Sequence, residues 1–111
     1  MSEGRYGEGH RKPLPLRRRA ETIKVRHGGA TYHISTGHYA GGQLGEVFVS
    51  TNKVGSNIEA MARDLAILLS LGLQHGCSIE TMSGALTREQ DGSPSTIAGA
   101  VADRLAQKEQ P

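Results

Sequence analysis

The chain has 111 residues, enough for one domain with a modest core and too few for a large barrel or a two-domain enzyme. Its one cysteine, Cys77, excludes an internal disulfide and a cysteine-rich zinc site, and its four aromatics leave an aliphatic core. The net charge of +2 is uneven: the first 19 residues carry six basic and two acidic side chains, the remainder seven and nine.

Residues 1–18 read as a basic, flexible arm, because Gly4, Gly7, Gly9, Pro13 and Pro15 break regular structure. The arm lacks the interleaved aromatics of a single-strand binder, which weighs toward a solvated terminus over a nucleic-acid contact. The folded domain is expected over 19–108, with 109–111 as a tail. The N-terminus carries no apolar secretory segment, and no apolar run is long enough to span a bilayer. The expected location is therefore cytoplasmic, with no membrane partner.

Residues 20–36 read as a β-hairpin turning at Gly28-Gly29. That turn sets His27 opposite Ala30, Val25 opposite Tyr32 and Ile23 opposite Ile34. Lys24 and His33, and Arg26 and Thr31, then pair on the other face. A slip of one residue would set apolar against polar, so the register is self-consistent. Residues 36–45 form a glycine-rich connection without phosphate-loop spacing. Glu46 to Thr51 is a third strand, which completes an antiparallel meander.

Gly55 to Cys77 is the longest single element, a helix. Ser56 and Glu59 have capping-box spacing at its start, and Gly76 is placed to end it. Ile58, Met61, Ala62, Leu65, Leu68, Leu69 and Gly72 recur at helical spacing and give one apolar stripe. Its second half, AILLSLGL, is apolar on nearly every side and needs more than one neighbour. It is the expected cover for the sheet. Leu65, Leu68, Leu69, Leu71 and Leu73 are the candidate core or dimer residues.

Ser78 can cap a short helix carrying Ile79, Met82 and Leu86. Residues 87–92 are a polar loop. Ser93-Pro94 reads as the start of a last helix with Ile97, Ala98, Val101, Ala102 and Leu105 on one side. The order β-β-β-α-α-α predicts an α+β fold: a three-stranded antiparallel meander against a long central helix, plus two shorter C-terminal helices.

None of the five histidines has metal-ligand spacing, so neither a metal nor a cofactor is expected. His75 and Cys77 are two residues apart at a helix end, where the negative end of the dipole disfavours a thiolate. A small enzyme built on that pair is the weakest of the readings, and no catalytic residue is assigned. The candidate binding residues are Arg17, Arg18 and Arg19 of the arm, His38 of the glycine-rich loop, and Glu46 and Lys53 beside the third strand. The arm arginines carry a second reading, nucleic-acid or nucleotide binding.

From about Arg17 to Ala106 the chain resembles the TSCPD domain family, which is similar to the C-terminal domain of cobalamin-dependent ribonucleotide reductases and also occurs as short separate proteins. The residues that carry the resemblance are Gly45-Glu46-Val47-Phe48-Val49, Lys53, Gly55-Ser56, Ser70-Leu71-Gly72-Leu73-Gln74 and Gly76. The family's eponymous cysteine stretch corresponds here to Ser93-Pro94-Ser95-Thr96, and its Cys-Gly turn to Gly28-Gly29, so its metal site does not carry over. The resemblance implies a non-catalytic binding or regulatory module. Its expected partners are a second copy of itself, as a homodimer, and a ribonucleotide reductase. Reductase chemistry needs a catalytic barrel and redox cysteines that this chain does not hold.

Overall fold

The computed structural model describes residues 11–16, 18–53 and 57–109. Three strands, β1 (Ala20–His27), β2 (Ala30–His38) and β3 (Leu44–Thr51), are followed by α1 (Asn57–Gln74), α2 (Ile79–Ala85) and α3 (Ile97–Glu109). The fold is α+β, and the sheet is an antiparallel meander in the order β1-β2-β3.

The hairpin has the register its sequence dictates: His27 pairs with Ala30, Val25 with Tyr32 and Ile23 with Ile34. Gly28 and Gly29 turn with φ of +59° and +79°, a conformation that costs residues with a Cβ. Side chains alternate across the sheet, so Tyr32, Ile34, Val47 and Val49 line one face and meet the helices. Phe48 lies on the other face and is exposed. A bulge between Gly37 and His38 shifts the register there, so that His38 stands opposite Leu44 on the core face.

The helical layer consists of the long helix and the two shorter ones, as expected. α1 packs along β3, α3 reaches β1, and α2 packs on α3. The core is aliphatic and joins Ile34, Val47 and Val49 to Ala62, Ala66, Leu69, Val101, Ala102 and Leu105. The α1 stripe is rotated from the sequence reading. Ala62, Ala66 and Leu69 are buried, with Ile58, Leu65 and Leu73 packed beside them, while Met61 and Leu68 are exposed. The reason is steric: two alanines on the inner line let the helix approach β3, and the bulkier side chains turn outward.

Both helix ends follow backbone rules. Beyond α1, Gly76 has φ +95°, the Cys77 amide donates to the Gly72 carbonyl at 2.8 Å, and the Gly76 amide to the Leu73 carbonyl at 3.1 Å. These two bonds make a Schellman motif. The Ser56–Glu59 capping box lies outside the described residues at Ser56. Ser78 caps α2 by accepting from the Thr81 amide at 3.1 Å.

The start of α3 corrects the sequence reading. Helix α3 begins at Ile97 and is capped by Thr96, whose hydroxyl accepts from the Gly99 amide at 3.2 Å. Pro94 instead pairs with Arg88 in an isolated antiparallel bridge, and Ser93 closes a turn on the Asp91 carboxylate. A proline followed by two small polar residues supports either start, and the bridge to Arg88 decides between them.

Candidate functional site

The arm and the family-like signature meet at the edge of β3. Edge strands expose unpaired amides and carbonyls, and here α1 closes that edge with side chains. Ser70 accepts from the Val47 amide at 2.9 Å and donates to the Val47 carbonyl at 3.0 Å. One turn on, the Gln74 amide group donates to the Gly45 carbonyl at 2.9 Å. Gln74 is only 2% exposed, and its side-chain oxygen accepts from Arg11. Its backbone carbonyl accepts from the Lys12 amide at 2.7 Å.

Arg11, Lys12 and Leu14 therefore lie against the domain, while Leu16 is fully exposed. The Tyr39 hydroxyl donates to the Lys12 carbonyl at 2.7 Å, and the Lys12 ammonium sits 4.3 Å from the Tyr39 ring centre. Gly45 gives Leu14 and Tyr39 room to close on β3, since a Cβ there would come within 2.6 Å of both side chains and one of them would have to shift. Gly72 leaves room for Met82 and Cys77. The residues that carry the family resemblance thus hold the arm, β3, α1 and α2 together.

The candidate binding residues separate into two places. Arg18 turns to the open sheet face, where Nε meets the Glu46 carboxylate at 2.5 Å and Nη1 donates to the Pro15 carbonyl at 2.6 Å. Arg19 turns to the other end of the core face. Its Nη2 lies 3.6 Å from the Glu21 carboxylate and 3.3 Å from Nδ1 of His38. Both arginines face a carboxylate within the domain, so neither points at a shared phosphate track. Lys53 is exposed just beyond β3. Arg17 lies outside the described residues.

Arg19 and His38 belong to a small polar cavity of about 140 Å³, with Glu21, Thr36 and Lys108 also on its wall. His38 is buried; its Nε2 lies 2.9 Å from the Thr36 hydroxyl and its Nδ1 3.1 Å from the Gly42 carbonyl. Nδ1 thus sits between the Gly42 carbonyl, which only accepts, and the Arg19 guanidinium, which only donates, and the tautomer decides which of the two it serves. Lys108, in the last turn of α3, meets Glu21 at 3.1 Å. Its hydrogen bond and charge, helped by Arg19, hold the Glu21 carboxyl below its ordinary value of 4.5. Sequence reasoning missed Glu21 and Lys108, because 87 positions separate them and only the α3–β1 contact joins them.

A second surface is apolar. Met61, Ile67, Leu68 and Leu71 are exposed along the outward side of α1, with Phe48 beside them on β3. Between β3 and α1 runs a groove of about 580 Å³ walled by Phe48, Ile67 and Leu71 and edged by Arg11, Arg63 and Glu46. Of the five leucines singled out, Leu69 is buried and Leu65 and Leu73 pack on the core, whereas Leu68 and Leu71 face outward.

His75 and Cys77 do not form a working pair. The His75 Nδ1 is bonded to the Leu71 carbonyl at 2.8 Å, and the Cys77 thiol lies 3.8 Å from the Ser78 carbonyl. Among the described residues no group of three or more His, Cys, Asp or Glu side chains is arranged to hold a metal ion. No helix among them is long and apolar enough to cross a membrane.

Sheet, helices and edge closure together define a small α+β module. Its family is the TSCPD domain, whose model matches residues 7–109, and the chain belongs to that family. The chain is similar to the vitamin B12-dependent ribonucleotide reductase of Agrobacterium fabrum, with 39% identity over 77 residues. The corresponding enzymes of Bradyrhizobium diazoefficiens and Streptantibioticus cattleyicolor are 36% identical over 77 residues. Each match covers 69% of this chain but only 6% of the first two enzymes and 13% of the third. The chain thus spans a small fraction of the relatives it matches. No solved structure matches it.

Proposed function

We propose that this chain is a non-catalytic binding module that self-associates through the outward side of α1. The observation that carries the reading is the row Met61, Ile67, Leu68 and Leu71, all exposed on one helix and continued by Phe48. Large apolar side chains gathered on one face mark an interaction surface, whereas single ones need no explanation. The face suits a second copy because an isologous pairing would cover the same apolar row on both chains at once. The signature residues Ser70, Gly72 and Gln74 support the non-catalytic reading, since each is already engaged in holding the domain together.

Light scattering coupled to size exclusion tests the reading. A dimer at micromolar concentration, converted to a monomer by Leu68→Glu with unchanged circular dichroism, is the expected result. A monomer throughout would end it.

One observation favours a second occupant. The similar stretch is a small part of much longer reductases, where the same face would lie against the rest of the enzyme. In that reading the module docks on a ribonucleotide reductase. Co-purification of a cobalamin-dependent reductase with the wild-type chain, and its loss with Leu68→Glu, separates this from self-association.

A further inference from the structure

We propose that the cavity between Arg19 and Lys108 is a binding site for a small oxyanion, a carboxylate or a phosphate group. The cavity lies where the start of β1, the end of β2 and the last turn of α3 converge, at the opposite end of β1 from the Gly28-Gly29 turn. Leu44 and Leu105 give it an apolar floor, and its wall carries two cations, one carboxylate, one imidazole and one hydroxyl. A small concavity in which several polar groups converge over an apolar floor has the placed polar groups by which a ligand site fixes orientation.

The donor count points to an anion. Arg19 carries five N–H donors and Lys108 three. Among the described residues, the acceptor that both cations share is the Glu21 carboxylate, at 3.6 Å and 3.1 Å. His38 Nδ1, 3.3 Å from Arg19 Nη2, can take at most one further guanidinium N–H. Among the described residues most of these donors have no further acceptor, and both side chains reach the solvent at the mouth. Arg19 and Lys108 bring two positive charges and Glu21 one negative, so one added negative charge balances these three.

The bulge supplies a further argument. Its extra residue is Gly45 on β3, which brings Leu44 opposite His38, while His38 keeps the inward alternation of Ile34 and Thr36 and so places an imidazole where an aliphatic side chain would pack at less cost. The ring is then held on both nitrogens, by Thr36 and by Gly42 or Arg19. A volume of about 140 Å³ admits a phosphate or a short carboxylate and excludes a nucleotide, so the ligand is either small or presents only its charged end. Glu21 competes for the same two cations, and its removal therefore strengthens binding.

The test is an NMR titration of the full chain with inorganic phosphate and, separately, with acetate, each against chloride at matched ionic strength. Saturable shifts at His38 and Thr36 with either oxyanion, absent with chloride, are expected. The tighter of the two arms identifies the oxyanion class. Arg19→Gln and Lys108→Gln should each weaken binding at least fivefold while the rest of the spectrum is retained. Glu21→Gln should tighten it by about tenfold, as expected when a competing charge at contact distance is removed. A purely structural ion pair would not produce that gain. Non-saturable shifts, an equal response to chloride, or unchanged affinity in the glutamine variants would overturn the proposal.

Discussion

The Ser70 hydroxyl serves both backbone groups of Val47, accepting from its amide at 2.9 Å and donating to its carbonyl at 3.0 Å. A helix side chain here does what a neighbouring strand would do. Gln74 repeats the device one turn later on Gly45. The spacing of four residues puts both side chains on one helix face, above successive outward-facing groups of β3. The sheet stays at three strands, and this part of its edge is closed to pairing with another chain.

Ser70→Ala leaves the amide and carbonyl of Val47 without this partner while the helix still covers them. A buried polar group that loses its partner costs about 1–3 kcal/mol. Urea unfolding should show that loss, and the Val47 amide should lose protection against hydrogen exchange selectively. An unchanged midpoint would mean that water reaches this edge and α1 does not seal it.

The Arg88–Asp103 pair predicts a response to acid. Arg88 binds both Asp103 oxygens, at 2.6 and 2.8 Å, and also reaches the Ser83 and Gly92 carbonyls. Ser83 donates to the same carboxylate at 2.5 Å. The Arg88 hydrogen bonds, then Ser83, hold the Asp103 carboxyl below its ordinary value of 3.8. A lowered carboxyl pKa stabilises the fold above the unfolded-state value, and that contribution is lost as pH falls through the folded value. Asp103→Asn should therefore lower the melting temperature at pH 7 and flatten its fall between about pH 5 and pH 2. Glu21 and Asp91 are lowered as well, by Lys108 and by Ser93, so the fall should be reduced and not abolished.

Gly76 ends α1 at φ +95°. Gly76→Ala forces a Cβ into the left-handed region and should cost about 1–2 kcal/mol. Thermal or urea unfolding measures it directly. At the other cap, Thr96→Ala should cost about 1 kcal/mol, and Ser93→Ala should cost less, because Thr96 and not Ser93 caps α3.

Legibility followed the range of the interactions. The β1–β2 register was readable because the alternation and the Gly28-Gly29 turn are local and agree. The C-terminus of α1 was readable for the same reason. The rotation of α1 was not, because spacing alone did not say which line of the helix would face β3. Alanines at 62 and 66 carry little weight beside four nearby leucines until close approach to a strand edge is known. Ser70 and Gln74 stood inside the recognised signature, yet their role depends on β3 being the edge strand. The polar cavity was half legible: Arg19 and His38 were singled out, while Glu21 and Lys108 join them only through the packing of α3 on β1. Arg88 was part of a polar loop and Asp103 drew no reading, since they pair only because the loop after α2 returns to α3.

The sharpest separation between core and surface on α1 is between neighbours. Leu68 is 70% exposed and Leu69 is 6% exposed. Leu69→Ala opens a cavity in the core and should cost about 2–5 kcal/mol. Leu68→Ala should leave the stability of the monomer within about 0.5 kcal/mol, as surface substitutions generally do. If α1 pairs with a second copy, the same Leu68→Ala should weaken the dimer, and the apparent stability should become less dependent on protein concentration. Urea unfolding at two concentrations a hundredfold apart reads both effects. A midpoint that moves with concentration in the wild type and stays fixed in Leu68→Ala identifies the outward side of α1 as the association surface. A wild-type midpoint that does not move leaves the face to a different protein and rules out self-association through it.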